Sequence, residues 1–308
     1  VTVVVPAAGV DAVTDDGAAP PARQRQRRDG PLGRQNLLAA IATGYLPLIL
    51  ATAIIALPLL WMVIGSLKAP SEVVTQNLVL LPQHPSLNAY REAGTKIDIG
   101  RLFLNSTIVT VIGASIKVLL AITTAYALAF VRFPFKRVIF VFMLVALMVP
   151  PQVALVPNYI LIADLGGVDT YWGIILPGLG TAFGTFLLRQ HFLSLPTEIL
   201  QAAEIDGAGH FTKLLRVVVP ISTPTIATVA LVTIVTEWND YIWPLVITTD
   251  PARMTLPVGL TQLKNIEGDA SSYPILMAGA VMVIVPVMVI FAALQRFIVA
   301  GLTQGAVK

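Results

Sequence analysis

What most limits the folds open to this chain is a set of long stretches that carry no charge. No Asp, Glu, Lys or Arg occurs in 35–67, 138–163, 170–188, 217–236 or 270–295, and 102–131 is interrupted only by Lys117. About 20 apolar helical residues cross the hydrocarbon of a bilayer, so each stretch has the length for one crossing. Of the 308 residues, 56% are hydrophobic and only 12% charged, more apolar surface than a soluble domain of this size can hide. Backbone groups in lipid must pair within their own segment. The expected fold class is therefore all-α: a polytopic membrane protein with six transmembrane helices at 45–67, 102–128, 138–157, 171–189, 221–247 and 273–296.

Charge orients the crossings. With both termini in the cytoplasm, thirteen Lys and Arg fall inside (Arg23, Arg25, Arg27, Arg28, Arg34, Arg132, Lys136, Arg137, Arg189, Lys213, Arg216, Arg296, Lys308) and six outside (Lys68, Arg91, Lys96, Arg101, Arg253, Lys264). The excess predicts an N-in, C-in arrangement and puts 190–220 in the cytoplasm. Residues 1–36, rich in Ala, Pro, Asp and Arg, lack the apolar content to fold and are expected to be a disordered, topogenic cytoplasmic tail. The apolar run that follows is long enough to span, which argues against a cleaved secretory signal. Domain organisation is thus a tail at 1–36 and a transmembrane domain at 37–308.

Composition excludes several functions. There is no cysteine, hence no disulfide, thiolate metal site or cysteine nucleophile. His84, His191 and His210 are scattered, so no metal site is expected, and no Ser or Asp is ordered into a nucleophile–base pair. The net charge of +3 reads as loop topology rather than nucleic-acid binding. Pro47, Pro58, Pro224, Pro244 and Pro286 fall within spans and are each expected to remove a hydrogen bond and bend a helix. Gly180-Thr-Ala-Phe-Gly184 is a small-xxx-small pattern suited to close helix packing.

Between the fourth and fifth spans lies a polar knob, Gln201-Ala-Ala-Glu-Ile-Asp-Gly-Ala-Gly-His-Phe-Thr-Lys213. Ser194-Leu-Pro196-Thr-Glu198 reads as a helix start, with Ser194 as cap and Pro196 in the first turn. A short helix over Thr197–Asp206 follows, ended by Gly207. A second begins at Gly209, grouping Phe211, Leu214 and Leu215 on one face, and Pro220 opens span five. Two readings stand on composition: docking into a groove of a cytoplasmic partner, or a loop lying on lipid headgroups.

Polar groups inside spans are costly and face a cavity or a partner helix. Glu237-Trp-Asn-Asp-Tyr-Ile-Trp-Pro244 places Glu237, Asn239, Asp240, Tyr241 and Trp243 toward the outer end of span five, with Asn105 and Lys117 in span two. They read either as a substrate pathway that hydrogen-bonds and stacks a hydroxylated solute, or as an interfacial aromatic belt with a structural ion pair at Lys117.

The run Gln201-Ala-Ala-x-x-Asp-Gly-Ala, with its Leu-rich helix and Pro220, resembles the cytoplasmic loop motif of binding-protein-dependent ABC importer permeases. Arg132-Phe-Pro-Phe-Lys-Arg137, Asn158-Tyr159, and Leu165-Gly166 with Thr170 are similar to that family's loops. Gln295-Arg-Phe-Ile-Val-Ala-Gly-Leu-Thr-Gln-Gly-Ala-Val-Lys308 resembles the C-terminus of the maltose-type second permease subunit. Here Gln201 stands where the family motif begins with Glu. Phe186-Leu-Leu-Arg-Gln190, Trp238-Asn239 and Trp243-Pro-Leu245 look closest to permeases of glycerol-phosphate importers.

The resemblance implies a permease in the bacterial plasma membrane that moves a carbohydrate or glycerol-phosphate type solute inward. Gln201, Ala202, Ala203, Asp206, Gly207, Ala208, Phe211 and Leu214 would couple to an ATPase. Partners would be a homologous second permease subunit, two cytoplasmic ATPase subunits or domains and an extracytoplasmic solute-binding protein, besides membrane lipid. ATP and Mg would sit on the ATPases: Gly207-Ala-Gly-His-Phe-Thr-Lys213 lacks the Gly-Lys step of a phosphate loop, so this chain is expected not to be an enzyme. The alternatives are an ion-coupled secondary transporter, for which no internal repeat is found, and a membrane-embedded enzyme, which needs polar residues converging at one depth.

Overall fold

The computed structural model describes residues 41–73, 80–266 and 272–304; the expected 1–36 tail and the last four residues lie outside them. Among the described residues every regular element is helical. The elements are α1 (Leu46–Ser66), α2 (Asn88–Lys96), α3 (Ile99–Phe130), α4 (Lys136–Met148), α5 (Leu155–Asp164), α6 (Tyr171–Ile175), α7 (Ala182–Leu193), α8 (Thr197–Ile205), α9 (His210–Lys213), α10 (Thr223–Trp238), α11 (Ile242–Ile247), α12 (Leu256–Ile266) and α13 (Tyr273–Gln304). Contacts divide the chain into Val1–Ala56 and Leu57–Lys308. The described part of the first unit is a π-type turn over Ile41–Tyr45 and the opening of α1, whose Leu48, Ile49, Ile54 and Ile55 are exposed.

Three continuous helical stretches, Thr43–Ser66, Ile99–Phe130 and Tyr273–Ala293, are long and apolar enough to cross a membrane, and three bent pairs qualify if each pair is one span. Bends in the third and fourth spans were not among those expected from the span prolines, whereas the fifth was expected to bend at Pro224 and Pro244. In the third, α4 has 13 residues, about 20 Å at 1.5 Å per residue and too short to cross alone. Pro150 and Pro151 end it, because a proline ring disfavours helical geometry in the residue before it, and the chain turns 94° into 151–164. The fourth bends by 46° at Gly180-Thr181, between 171–179 and 182–193.

The fifth bends by 83° at Ser222, so it opens at Thr223 and not at Pro220, which lies inside 210–221 just after a π-type turn over Leu214–Val218. It breaks again between Trp238 and Ile242. Of the five span prolines, Pro224 and Pro244 occupy first turns, where their missing N–H is not required, whereas Pro47 lies in the continuous helical stretch Thr43–Ser66 and Pro58 and Pro286 sit inside helices. Gly184 fulfils the packing expectation: a Cβ there would stand 3.0 Å from Val229 and 3.3 Å from Ala121. Gly180, with nothing within 4 Å, marks the bend instead.

In the second unit, α3 is the central post. Its 32 residues, roughly 48 Å long, pack along α7 and α10, and α10 packs along α13. Asp98 caps its start by accepting from Arg101 N–H at 3.0 Å. Arg189 Nε and Lys136 Nζ hold its last carbonyls, at 3.2 Å from Leu128 O and 3.0 Å from Ala129 O. Three apolar clusters follow the post. One joins Leu102 to Trp238, Leu256 and Ile275; a second joins Ala121, Ala125 and Tyr126 to Leu188, Phe192, Leu214 and Val218; a third joins Val109 to Ile162, Ile174 and Ile247. The second ties the knob to α3, and the third backs a polar cavity.

Candidate functional site

The knob is built by local rules. Ser194 ends α7, its hydroxyl donating to His191 O at 2.7 Å, and Pro196 is the residue flanking α8, a correction to the expected Ser194 cap and first-turn proline. Glu198 stands in the first turn of α8, favourable beside the helix N-terminus. At the other end Gly207 takes φ +77, a conformation costly for any residue with a Cβ. Ala208 N–H then reaches Ala203 O at 2.9 Å and Gly207 N–H reaches Glu204 O at 3.0 Å, the two bonds of a Schellman motif. The elbow is therefore a defined turn.

Phe211, Leu214 and Leu215 do not share a face. Leu214 is 6% exposed in the apolar cluster with Phe192, whereas Phe211 is 74% and Leu215 49% exposed. The period breaks because the helix widens into a π-type turn at Leu214. Exposed Phe211, with Ile205 at 87%, gives the knob an apolar tip. Gln201, Ala202, Asp206 and Gly207 are exposed, and Ala203 and Ala208 half-buried. Lys213, buried, donates to Glu204 at 3.2 Å and so braces α9 against α8. Tyr126 on α3 meets His210 Nδ1 at 3.2 Å, tying the knob to the central post. Neither brace was read from the sequence, although Glu204, His210 and Lys213 all lie within the knob motif.

The polar patch is built by distant parts of the chain. Lys117 of α3 and Glu237 of α10, 120 residues apart, form an ion pair with side chains only 14% and 12% exposed. Gly113 leaves the room: a Cβ there would lie 2.9 Å from Glu237 Oε2. The break after Trp238 then turns Asn239, Asp240 and Tyr241 out of helix. The Asp240 carboxylate lies beside the main-chain N–H groups of Tyr241 and Trp243 at the head of α11. Trp243 Nε1 donates to Gly173 O and Ile174 O, at 3.2 and 3.1 Å, fixing α11 on α6.

Lys117, Glu237, Asn239, Asp240, Tyr241 and Trp243 thus line one cavity of about 560 Å³. Gln152 and Asn158, which the sequence reading did not single out as lining residues, supply its other polar wall from the bend after α4. Their signal was the Pro150-Pro151 break, which exposes polar side chains at membrane depth.

Asn105 stands apart. It is 1% exposed, gives both amide protons to Ala252 O and Met254 O at 3.0 and 2.8 Å, and accepts from the Tyr171 hydroxyl at 2.7 Å. Its neighbour Ser106 reaches the cavity wall instead, while accepting from Leu256 N–H at 2.7 Å. Beside α6, Asp169 closes the loop after α11. Its carboxylate accepts from Thr249 N–H at 2.6 Å, the Thr249 hydroxyl at 2.7 Å and Asp250 N–H at 2.9 Å. Burial alone would raise its pKa, but these bonds and the Arg253 charge outweigh burial and hold it below the usual carboxylate value.

A larger groove of about 1190 Å³ runs between α3, α10 and α13, lined by residues such as Phe103, Val111, Trp238 and Met282. Its walls are almost wholly apolar and offer little to a hydroxylated solute. The polar cavity, with amides, hydroxyls, aromatic rings and carboxylates together, can hydrogen-bond such a solute without breaking covalent bonds. Among the described residues no three His, Asp or Glu side chains converge as a metal site needs.

Residues 117–304 match the family described as binding-protein-dependent transport system inner membrane component. The chain is 34% identical over 268 residues to the sn-glycerol-3-phosphate transport system permease protein UgpE of Brucella suis biovar 1 (strain 1330), covering 85% of this chain and 95% of that protein. It is 32% identical to the arabinooligosaccharides transport system permease protein AraQ of Halalkalibacterium halodurans, covering 82% and 90%, and 33% identical to the diacetylchitobiose uptake system permease protein NgcG of Streptomyces coelicolor, covering 85% and 87%. A chain in the crystal structure of a bacterial ABC transporter involved in the import of the acidic polysaccharide alginate superposes with a TM-score of 0.73 at 25% identity, covering 87% of this chain and 99% of that one. The family model spans more than half of the chain and these relatives most of it: the chain belongs to the binding-protein-dependent transport system inner membrane components, the multi-pass permeases of bacterial ABC importers.

Proposed function

We propose that the chain is one half of a permease heterodimer that passes a carbohydrate or glycerol-phosphate type solute inward through the Lys117–Glu237–Asp240 cavity. The relatives' names include both a phosphate ester and saccharides. The family is a membrane component without an enzymatic role; ATP and Mg belong to two ATPase partners, and a solute-binding protein delivers the cargo from outside. The tail at 1–36 and the transmembrane domain at 37–308 are its two parts, with six crossings, both termini inside, and the coupling loop 190–220 in the cytoplasm.

The observation that carries this reading is the braced elbow with an apolar tip. Gly207 fixes its angle, Lys213–Glu204 braces its two helices together, Tyr126–His210 joins it to α3, and Ile205 and Phe211 project unburied. Gln201, Ala202, Ala203, Asp206 and Ala208 complete the docking surface, while Leu214 anchors it from within. A knob of this kind, seated in an ATPase that closes on ATP, passes rigid-body motion to α3 and α10 and switches access to the cavity between the two faces of the membrane.

The chain has no cysteine, so Ala208→Cys gives a single thiol for cross-linking in the assembled transporter. Cross-linking to a co-purifying ATPase, lost when that ATPase is stripped off, is the expected result. Labelling of the introduced thiol from outside intact cells, or uptake by this chain with no ATPase attached, overturns it.

A further inference from the structure

We infer that Glu237 and Asp240 make this half of the pathway reject anions, so that the solute passing it is an uncharged polyhydroxylated molecule and not a phosphate ester. The inference rests on the proposed role of the cavity as the solute path. Among the described residues lining that cavity, three carry charge: Lys117, Glu237 and Asp240. The ammonium of Lys117 is already engaged by Glu237, on side chains mostly shielded from water. Asp240 then leaves the wall with one carboxylate in excess. Arg253, on the loop beyond α11, lies over the Tyr171 ring at 5.1 Å and is not part of the lining.

A phosphate monoester in such a space meets a neutralised cation and an uncompensated anion. Repulsion is several times stronger there than in water, because the surrounding medium is less polarisable. Sugar hydroxyls meet the opposite situation. Each both donates and accepts, and Gln152, Asn158 and Asn239 amides, the Tyr241 hydroxyl and the Asp240 carboxylate supply matching groups at no cost in charge. Glu237 therefore acts as a specificity residue through Lys117, by keeping the ammonium from serving as an anion receptor. Asp240 acts directly on the passing solute.

Gln152 is exposed on the cavity wall, so Gln152→Cys in the complete transporter places one thiol there. Its modification rate is measured with uncharged methyl, anionic sulfonatoethyl and cationic trimethylammonioethyl methanethiosulfonates. Each rate is divided by that reagent's rate with free 2-mercaptoethanol, and the cysteine-free chain serves as blank. In every case the thiolate attacks the thiosulfonate sulfur, forms a mixed disulfide and releases methanesulfinate.

The normalised anionic rate is expected to be about tenfold below the uncharged one, and Asp240→Asn or Glu237→Gln to recover most of that deficit. Equal normalised rates for the anionic and uncharged reagents overturn the inference, and so does a deficit that neither substitution moves. If no reagent reaches the thiol placed at position 152, the cavity is not a water-filled path, which refutes the proposed role of the cavity and the inference with it. Asp240→Asn keeps the Lys117–Glu237 pair, so a folding failure of Glu237→Gln leaves the test intact.

Discussion

The knob and the cavity are opposite ways of making a site. The knob takes its shape from neighbours in sequence: the Schellman bonds span Ala203 to Ala208, and Lys213 braces Glu204 nine residues away. The cavity takes its shape from distance, with Lys117 meeting Glu237 across 120 residues and Gln152 facing them from a third segment. A local site fails when one backbone angle is denied. A distributed site fails when one partner is removed and the other stays buried. The largest expected effect tests the first half of that contrast. Gly207→Pro forces φ to about −65° where +77 is needed, a cost of about 3 kcal/mol or more. Coupled uptake is expected to fall by more than about a hundredfold, while membrane insertion, read by fractionation, is unchanged. Gly207→Ala, which tolerates the angle at about 1–2 kcal/mol, should retain part of the activity. Full uptake with proline at 207 dissolves the elbow as a lever.

The second half is tested at the ion pair. Lys117→Ala strands a mostly buried Glu237, and a loss of about 3 kcal/mol is expected. Replacing both by Met and Leu should restore most of that stability, because a buried pair is worth little more than well-packed apolar residues. Thermal unfolding of the detergent-solubilised complex reads both. If the double variant is as unstable as the single, the pair is not what sets the cost. Uptake should remain impaired even where stability returns, since the lining has changed.

That contrast also explains what the sequence disclosed. Gly207, the acid at 198 and the Ala pair follow rules that act over one or two turns, so the knob's helices and stop are legible in residue order alone. Phe211, Leu214 and Leu215 misled because a π-type turn shifts the period just there, and no residue in Leu214–Val218 signals a wider turn. For the spans, apolar length located three continuous helices and three bent pairs but not the places where the pairs bend. Pro150-Pro151 and, two residues past Ser222, Pro224 were visible breaks, whereas the bend at Gly180-Thr181 carries no proline signal. Six of the seven expected pathway residues line one cavity because the helix breaks at Asn239. Asn105 does not, since its amide is taken by main-chain carbonyls 147 and 149 positions away, which no local pattern announces.

A moderate effect separates chemistry from scaffolding inside the cavity. Asp240→Asn keeps an oxygen for the Tyr241 and Trp243 N–H groups, so the head of α11 is expected to hold, at a cost of about 1 kcal/mol or less. Uptake or solute-stimulated ATP hydrolysis should change by about tenfold, the size of one lost charged hydrogen bond. Assembly, read by co-purification, should not change. If transport is untouched, Asp240 is merely structural, and the cavity loses its one carboxylate not engaged by Lys117.

The smallest effect lies in the loop after α11, outside the cavity lining, where Asp169 holds Thr249 and Asp250 by three hydrogen bonds. Its pKa in the fold is depressed by bonds that exist only there, so the ionised form favours the folded loop. The stabilisation is complete above the unfolded carboxylate's pKa, near 3.9, and is lost as pH falls through the lower folded value. Hydrogen exchange at Thr249 and Asp250 should therefore stay protected at pH 5 and loosen only below the usual carboxylate range. Asp169→Asn should remove that acid dependence at every pH while leaving the bends of α10 and α11 in place. An exchange profile that loosens near neutrality instead would assign the loop to a different titrating group, and Asp169 would then not be what closes it.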